Sequence, residues 1–268
     1  MNTPYSPLVA ELLTFGDARQ FPAWPKYAER GFGHEHVPEL IRLATDSRLH
    51  MADSDSLSIW APVHAWCTIG QLAAVEAVEP LLALFHELDN SDWAAEELPE
   101  VHGIIGPAAI PALTRYLADA MHGLWPRITA ARSFERIAAH YPSARPDCIV
   151  VLSHQLEGFA NSDPELNAFL ISYLLDLNAI DAAPIMERAF AAKRVDLSVA
   201  GDWEDVQIAL GLKATRETPR PRLHLFPPPL VPLVPTGKAK RSADKAAEKA
   251  KAKRKQAKAS RKKNKQRK

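Results

Sequence analysis

Glycine is scarce in this chain, with 11 residues among 268, and cysteine scarcer still, with two. The shortage of glycine argues against a many-turned β-protein, which needs it wherever the backbone turns at positive φ. Cys67 and Cys148 stand in no Cys-x-x-Cys spacing, so neither a zinc finger nor a disulfide framework is expected; two thiols in a reducing compartment are. No run of about 18 uninterrupted apolar residues occurs and no N-terminal segment has signal-peptide character, so the sequence predicts a cytoplasmic protein without a membrane span. Chemistry-bearing motifs are missing as well. The segment GFGHEH at 31–36 lacks the third glycine of a dinucleotide fingerprint, and no Gly-x-Ser-x-Gly elbow or spaced Ser-His-Asp set appears. His34-Glu35-His36 lacks the HExxH spacing that puts two imidazoles on one helix face, and reads as a loop and cap before Pro38. No catalytic residue, metal site or cofactor is predicted.

What is present is proline, 22 residues of it, and a separation of charge. Residues 237–268 hold 16 Lys and Arg against 2 Asp and Glu, a net +14, whereas residues 1–236 hold 17 against 30, a net −13. The tail has the composition of a disordered, low-complexity segment with its own electrostatic partner. Residues 213–236, containing PRPRLHLFPPPLVPLVP, read as a proline-rich extended linker.

The body repeats itself. Five prolines, Pro38, Pro80, Pro111, Pro146 and Pro184, each head an apolar stretch with helical spacing, at intervals of 42, 31, 35 and 38 residues. Proline suits a first helical turn, where its missing N–H would have no partner anyway. Asp46, Asp89 and Asp119 then end the first helix of a pair. Trp60, Trp93 and Trp125 head the second helices, with Gly70, Gly103 and Glu135 ten residues after them. A lone hairpin of this kind cannot bury its apolar face, so neighbours must stack. The expected fold is all-α, a solenoid of about five helical hairpins over 38–212. Residues 1–37 precede it as a capping helix (6–18) and a connection containing Trp24 and Tyr27. GDWEDVQIALGL at 201–212 closes it, with Asp202, Glu204 and Asp205 as a polar outer face.

The recurring Ala-x-x-Pro starts in AVEAVEP (74–80), GPAAIP (106–111) and AIDAAP (179–184) resemble HEAT-like repeats of the phycobilisome-lyase type over roughly residues 34–212. The resemblance implies the fold and little about function, because such repeats serve scaffolds, bilin lyases and alkylpurine DNA glycosylases alike. Proteins of this kind often end in a Cys-rich zinc module of the SEC-C type; with no cysteine after Cys148, the basic tail stands in its place.

Two sets of candidate contact residues follow. Trp60, Trp93 and Trp125 read first as a repeated packing wedge between hairpins, and alternatively as aromatic anchors on a concave surface. Glu96, Glu97 and Glu100, with His102 nearby, read first as a solvated helix face, and alternatively as a groove for a cation, a basic peptide or a metal; His64 stands where Glu97 does one repeat later. Asp92 reads as an N-cap. The tail offers Lys253, Arg254, Lys255, Arg261, Lys262, Lys263 and Arg267 to nucleic acid. The function expected is a non-enzymatic scaffold for a protein partner, whose tail adds nonspecific attachment to RNA, DNA or ribonucleoprotein. The alternative is an enzyme on the same scaffold, bilin-lyase-like or glycosylase-like, against which the −13 body weighs because it repels phosphate.

Deleting residues 237–268 is expected to abolish retention on an RNA or DNA column at about 0.15 M salt. In the full chain, retention should fall linearly with the logarithm of salt concentration. Retention of the truncated body would show that the tail is not the determinant.

Overall fold

The computed structural model describes residues 4–220; the remainder of the expected linker and the basic tail, including all seven tail residues named above, lie outside the described residues. Among the described residues every regular element is helical and there is no strand. The chain runs through α1 (Pro7–Glu11), α2 (Val37–Ala44), α3 (Ser47–His50), α4 (Ala61–Gln71), α5 (Val78–Glu87), α6 (Asp92–Ile105) and α7 (Ile110–Ala118). It continues through α8 (Leu124–His140), α9 (Arg145–Glu157), α10 (Pro164–Asp176), α11 (Ala183–Ala191), α12 (Leu197–Ala200) and α13 (Trp203–Ala209). None of these helices is long and apolar enough to cross a membrane.

The prolines punctuate as expected. Pro38, Pro111, Pro146 and Pro184 are the second residues of α2, α7, α9 and α11, and Pro80 is the third of α5. A 3₁₀ turn precedes each of these five helices. The helices fall into two rows. In the first, α2, α5, α7, α9 and α11 pack side by side; in the second, α4, α6, α8, α10 and α12 do the same. Within pairs, α2 packs on α4, α5 on α6, α7 on α8, α9 on α10 and α11 on α13. Side chains tie helices together, within a pair or from one pair to the next, at the carbonyl ends, where backbone acceptors lack partners. Arg127 donates to the Leu117 carbonyl (2.9 Å), Arg145 to that of Leu177 (2.9 Å) and Tyr141 to that of Ile104 (2.7 Å). Gly103 permits the close approach of α6 and α8: a β-carbon there would lie 2.7 Å from Cβ of Arg136.

Two expectations are corrected. The tryptophan that is fully enclosed is Trp66, 2% exposed, whose indole donates to the Ala44 carbonyl (3.1 Å) and stacks on His50; Trp60 and Trp93 are half-buried and Trp125 is 50% exposed. The wedge is therefore one tryptophan and not a repeated one. The N-terminal capping helix and connection contribute Val9, Leu12, Tyr27 and Phe32 to the core. The body does not end at 212. Asp202, Glu204 and Asp205 do not form a solvated outer face; they hold the chain that follows. Glu204 accepts from Lys213 Nζ (2.5 Å), from the backbone of Glu217 (2.7 Å) and from that of Thr218 (2.9 Å). Arg216 pairs with Asp202 (2.5 Å) and Asp205 (2.8 Å). These bonds hold the Glu204 carboxyl far below the ordinary carboxylate range. Residues 213–220 thus belong to the same compact unit as the helices.

Trp66→Ala should lower unfolding free energy by about 3–5 kcal/mol, and Trp125→Ala by less than about 1 kcal/mol. Urea midpoints compared at constant m-value decide it; similar losses in the two variants would contradict the burial described.

Candidate functional site

Three abutting clefts open along the starts of the second-row helices. The first, about 340 Å³, is mostly apolar and has Trp60, Val63, Trp66, Leu88 and Trp93 in its walls, with Arg19 at its edge. The second, about 440 Å³ and sharing Ser91 with the first, lies between the start of α6 and α8 and α10; Asp89 and Asp92 face Trp125, Ile128, Phe169 and Tyr173. The third, about 300 Å³, shares Arg19, Val63 and Trp93 with the first and is lined by Trp24, Tyr27 and Glu97. One wall is thus common to all three, the first turns of α6.

The aromatic side chains are held by each other. Trp60 and Trp93 meet edge to face at 5.3 Å, and Trp125 meets Phe169 likewise at 6.1 Å, geometries that the ring quadrupoles favour. The Arg19 guanidinium lies 4.8 Å over the Trp60 ring while paired to Asp17 (2.7 Å), so its charge is already answered. Arg132, in the second cleft, donates to the Ala95 carbonyl (3.1 Å). The first turn of α6 is capped by Ser91, whose hydroxyl accepts from the Ala94 N–H (3.3 Å). Asp92, read from sequence as the cap, is instead the first helical residue and is exposed.

His64 does not line a groove. It is fully buried, and both ring nitrogens are engaged: Nε2 donates to the Gly16 carbonyl (2.9 Å), so Nδ1 accepts from the Tyr27 hydroxyl (2.6 Å). Burial lowers its pKa, which keeps that neutral tautomer in place. The expected acidic cluster divides. Glu96 is exposed. Glu100 reaches α8, with His140 Nε2 at 2.7 Å and Arg136 Nε at 3.7 Å. Glu97 turns into the third cleft and accepts from the Trp24 indole (2.9 Å); burial, and then the charges of Glu96 and Glu100, raise its pKa. His102 is enclosed behind them, donating from Nδ1 to the Leu98 carbonyl (2.8 Å), and burial pushes its pKa down to about 4, with the carbonyls of Leu98 and Val78 offsetting only part.

Both thiols are turned from solvent. Cys67 and Cys148 are buried free thiols, and burial raises both, Cys148 to about 11, which disfavours the thiolate that nucleophilic chemistry needs. In the 3₁₀ turn His34–His36, His36 Nδ1 accepts from the Gly33 N–H (3.1 Å). Among the described residues no three His, Cys, Asp or Glu side chains assemble as a metal-ligand set. Sequence reasoning missed Arg19, Ser91, Ile128, Phe169 and Tyr173. Phe169 and Tyr173 are four apart on α10, the spacing that gives two side chains one helix face, and that was the available signal. The chain matches no protein-family model, no curated protein and no solved structure.

Because His102 is held neutral, its contribution to stability is full above pH 6.5 and is lost as pH falls toward about 4. Between pH 7 and pH 5 this group alone should cost about 2 kcal/mol, with His64 and His50 shifted the same way. His102→Gln, which retains a donor for Leu98, should show that much less pH dependence in denaturant midpoints; an unchanged pH dependence would contradict the assignment.

Proposed function

We propose that residues 34–212 form an α-solenoid of five HEAT-like hairpins, of the type found in phycobilisome-lyase repeats, and that the protein is a non-enzymatic scaffold whose second-row helices bind a protein partner. The basic tail, in this proposal, adds nonspecific electrostatic attachment to nucleic acid or ribonucleoprotein. The paired helices in two rows and the five proline-headed starts support the solenoid. The binding role rests on one observation above all: three aromatic clefts adjoin one another at the same end of successive second-row helices. Stacked repeats present neighbouring helix starts as one continuous surface, and half-exposed tryptophan and tyrosine are the side chains that contribute most at protein interfaces. Cys67, Cys148, His64 and His102 are enclosed, which withholds these four from covalent or acid–base work and favours binding over catalysis.

Incorporation of p-benzoylphenylalanine at position 125, in the second cleft, should give photo-adducts with one partner protein identifiable by mass spectrometry. The same group at position 150, exposed on α9 in the first row, should not. Adducts at 150 alone, or at neither position, would remove the basis for this reading.

A further inference from the structure

Between Arg48 and Arg115 the chain contains no lysine or arginine, yet it carries ten carboxylates, and this stretch includes α4, α5 and α6, which wall the first and third clefts. Several carboxylates of the body have a cation at hand: Asp17 has Arg19, Glu100 has Arg136, and Asp202 and Glu204 have Arg216 and Lys213. Glu97 is different. Its carboxylate is half-buried in a cleft walled by Trp24, Trp93 and Tyr27, it accepts one hydrogen bond from a neutral indole, and no ion pair reaches it among the described residues. Like charges flank it at Glu96 and Glu100. The nearest guanidinium lining the cleft, that of Arg19, is paired with Asp17 and lies over Trp60. A carboxylate taken partly out of water without a counter-charge is costly. Aromatic faces beside it add a second attraction for a cation, since a guanidinium gains from an indole face as well as from a carboxylate. Arg19 over Trp60 displays that stacking within the molecule.

We infer that the Trp24–Trp93–Glu97 cleft receives a basic side chain, arginine by preference, from a peptide segment of the partner protein, and that the adjoining apolar cleft at Trp60 and Trp93 receives an apolar neighbour of that residue. This deepens the scaffold reading and rests on it. Glu97 supplies the counter-charge, Trp24 and Trp93 the aromatic walls, and the 340 Å³ cleft at Trp60 the space for a leucine-sized side chain. The lysine- and arginine-free stretch around them leaves no internal competitor on α4, α5 or α6.

The test uses the full-length protein and three fluorescein-labelled eight-residue peptides. One alternates leucine and arginine, one has citrulline in place of arginine, and one has serine in place of leucine. Fluorescence anisotropy should show saturable binding of the first, and about tenfold or greater weakening for each of the others, a difference near 1.4 kcal/mol. Glu97→Gln keeps an acceptor for the Trp24 indole and removes the charge. It should weaken the leucine–arginine peptide about tenfold, make the arginine and citrulline peptides equivalent, and leave the melting temperature equal to or above that of the wild type. Asp147→Asn, an exposed position on α9, makes the same change in net charge and should leave affinity unchanged within about twofold. Equal affinity of wild type for arginine and citrulline peptides, or equal losses in Glu97→Gln and Asp147→Asn, overturns the inference. So does a Glu97→Gln variant with full affinity. Photo-adducts from position 125 without arginine-dependent peptide binding would leave the scaffold in place and remove only the basic-residue preference.

Discussion

Helix α4 is buried along ten successive residues, Ala61–Gly70, and much else in the structure answers to that fact. An amphipathic surface helix needs cover on one side only; a helix buried all round needs it on every side. First-row helix α2 covers one flank and α6 another, and the N-terminal residues supply the rest. The Tyr27–His64–Gly16 chain of hydrogen bonds satisfies the one imidazole that this burial takes from water, and Thr68 returns its hydroxyl to the His64 carbonyl (2.7 Å). The N-terminal segment brings Trp24 and Arg19 with it. Two of the clefts therefore exist because α4 must be covered: the residues that seal the core on one side form the walls of the clefts on the other.

The all-helical class, the proline-headed first helices and the tryptophan-headed second helices were legible from spacing, since proline and helical periodicity act locally and leave a direct trace in the chain. Side-chain direction at helix starts was not. Trp60 is the cap residue of α4, while Trp93 and Trp125 are the second residues of α6 and α8. At such positions the loop that enters the helix, and not the helical period, decides whether an indole points in or out. Trp66, in mid-helix, was subject to the period and is the one that is enclosed. The same limit applies at the other end. The polar composition of 213–220 suggests a linker, but Lys213 and Arg216 find their carboxylates nine and fourteen residues back, a pairing no local pattern encodes.

Charge is distributed according to role. Carboxylates that brace the architecture, such as Asp46 with Arg48 (2.6 Å) or Asp202 with Arg216, have partners and depressed pKa values. The three glutamates of α6 show how one short motif separates by a 100° turn per residue into different environments. Glu96 stays in water, Glu97 enters an aromatic cleft and Glu100 crosses to α8. A cluster in sequence was three sites in space, and only one of them combines burial with aromatic walls.

The two ends of the stack are closed by different forces. At the N-terminal end Tyr27, Phe32 and Trp66 are sealed by apolar burial, which salt strengthens if it changes at all. At the other end α13 is tied to residues 213–220 by partly exposed ion pairs, which salt screens and acid neutralises. In the proposed solenoid, whose stability would be a sum of neighbouring contacts, such an inequality gives unfolding a direction. Fraying is then expected to begin at α13 and to travel toward α4, so the clefts at α4 and α6, near the sealed end, would be the last to be lost.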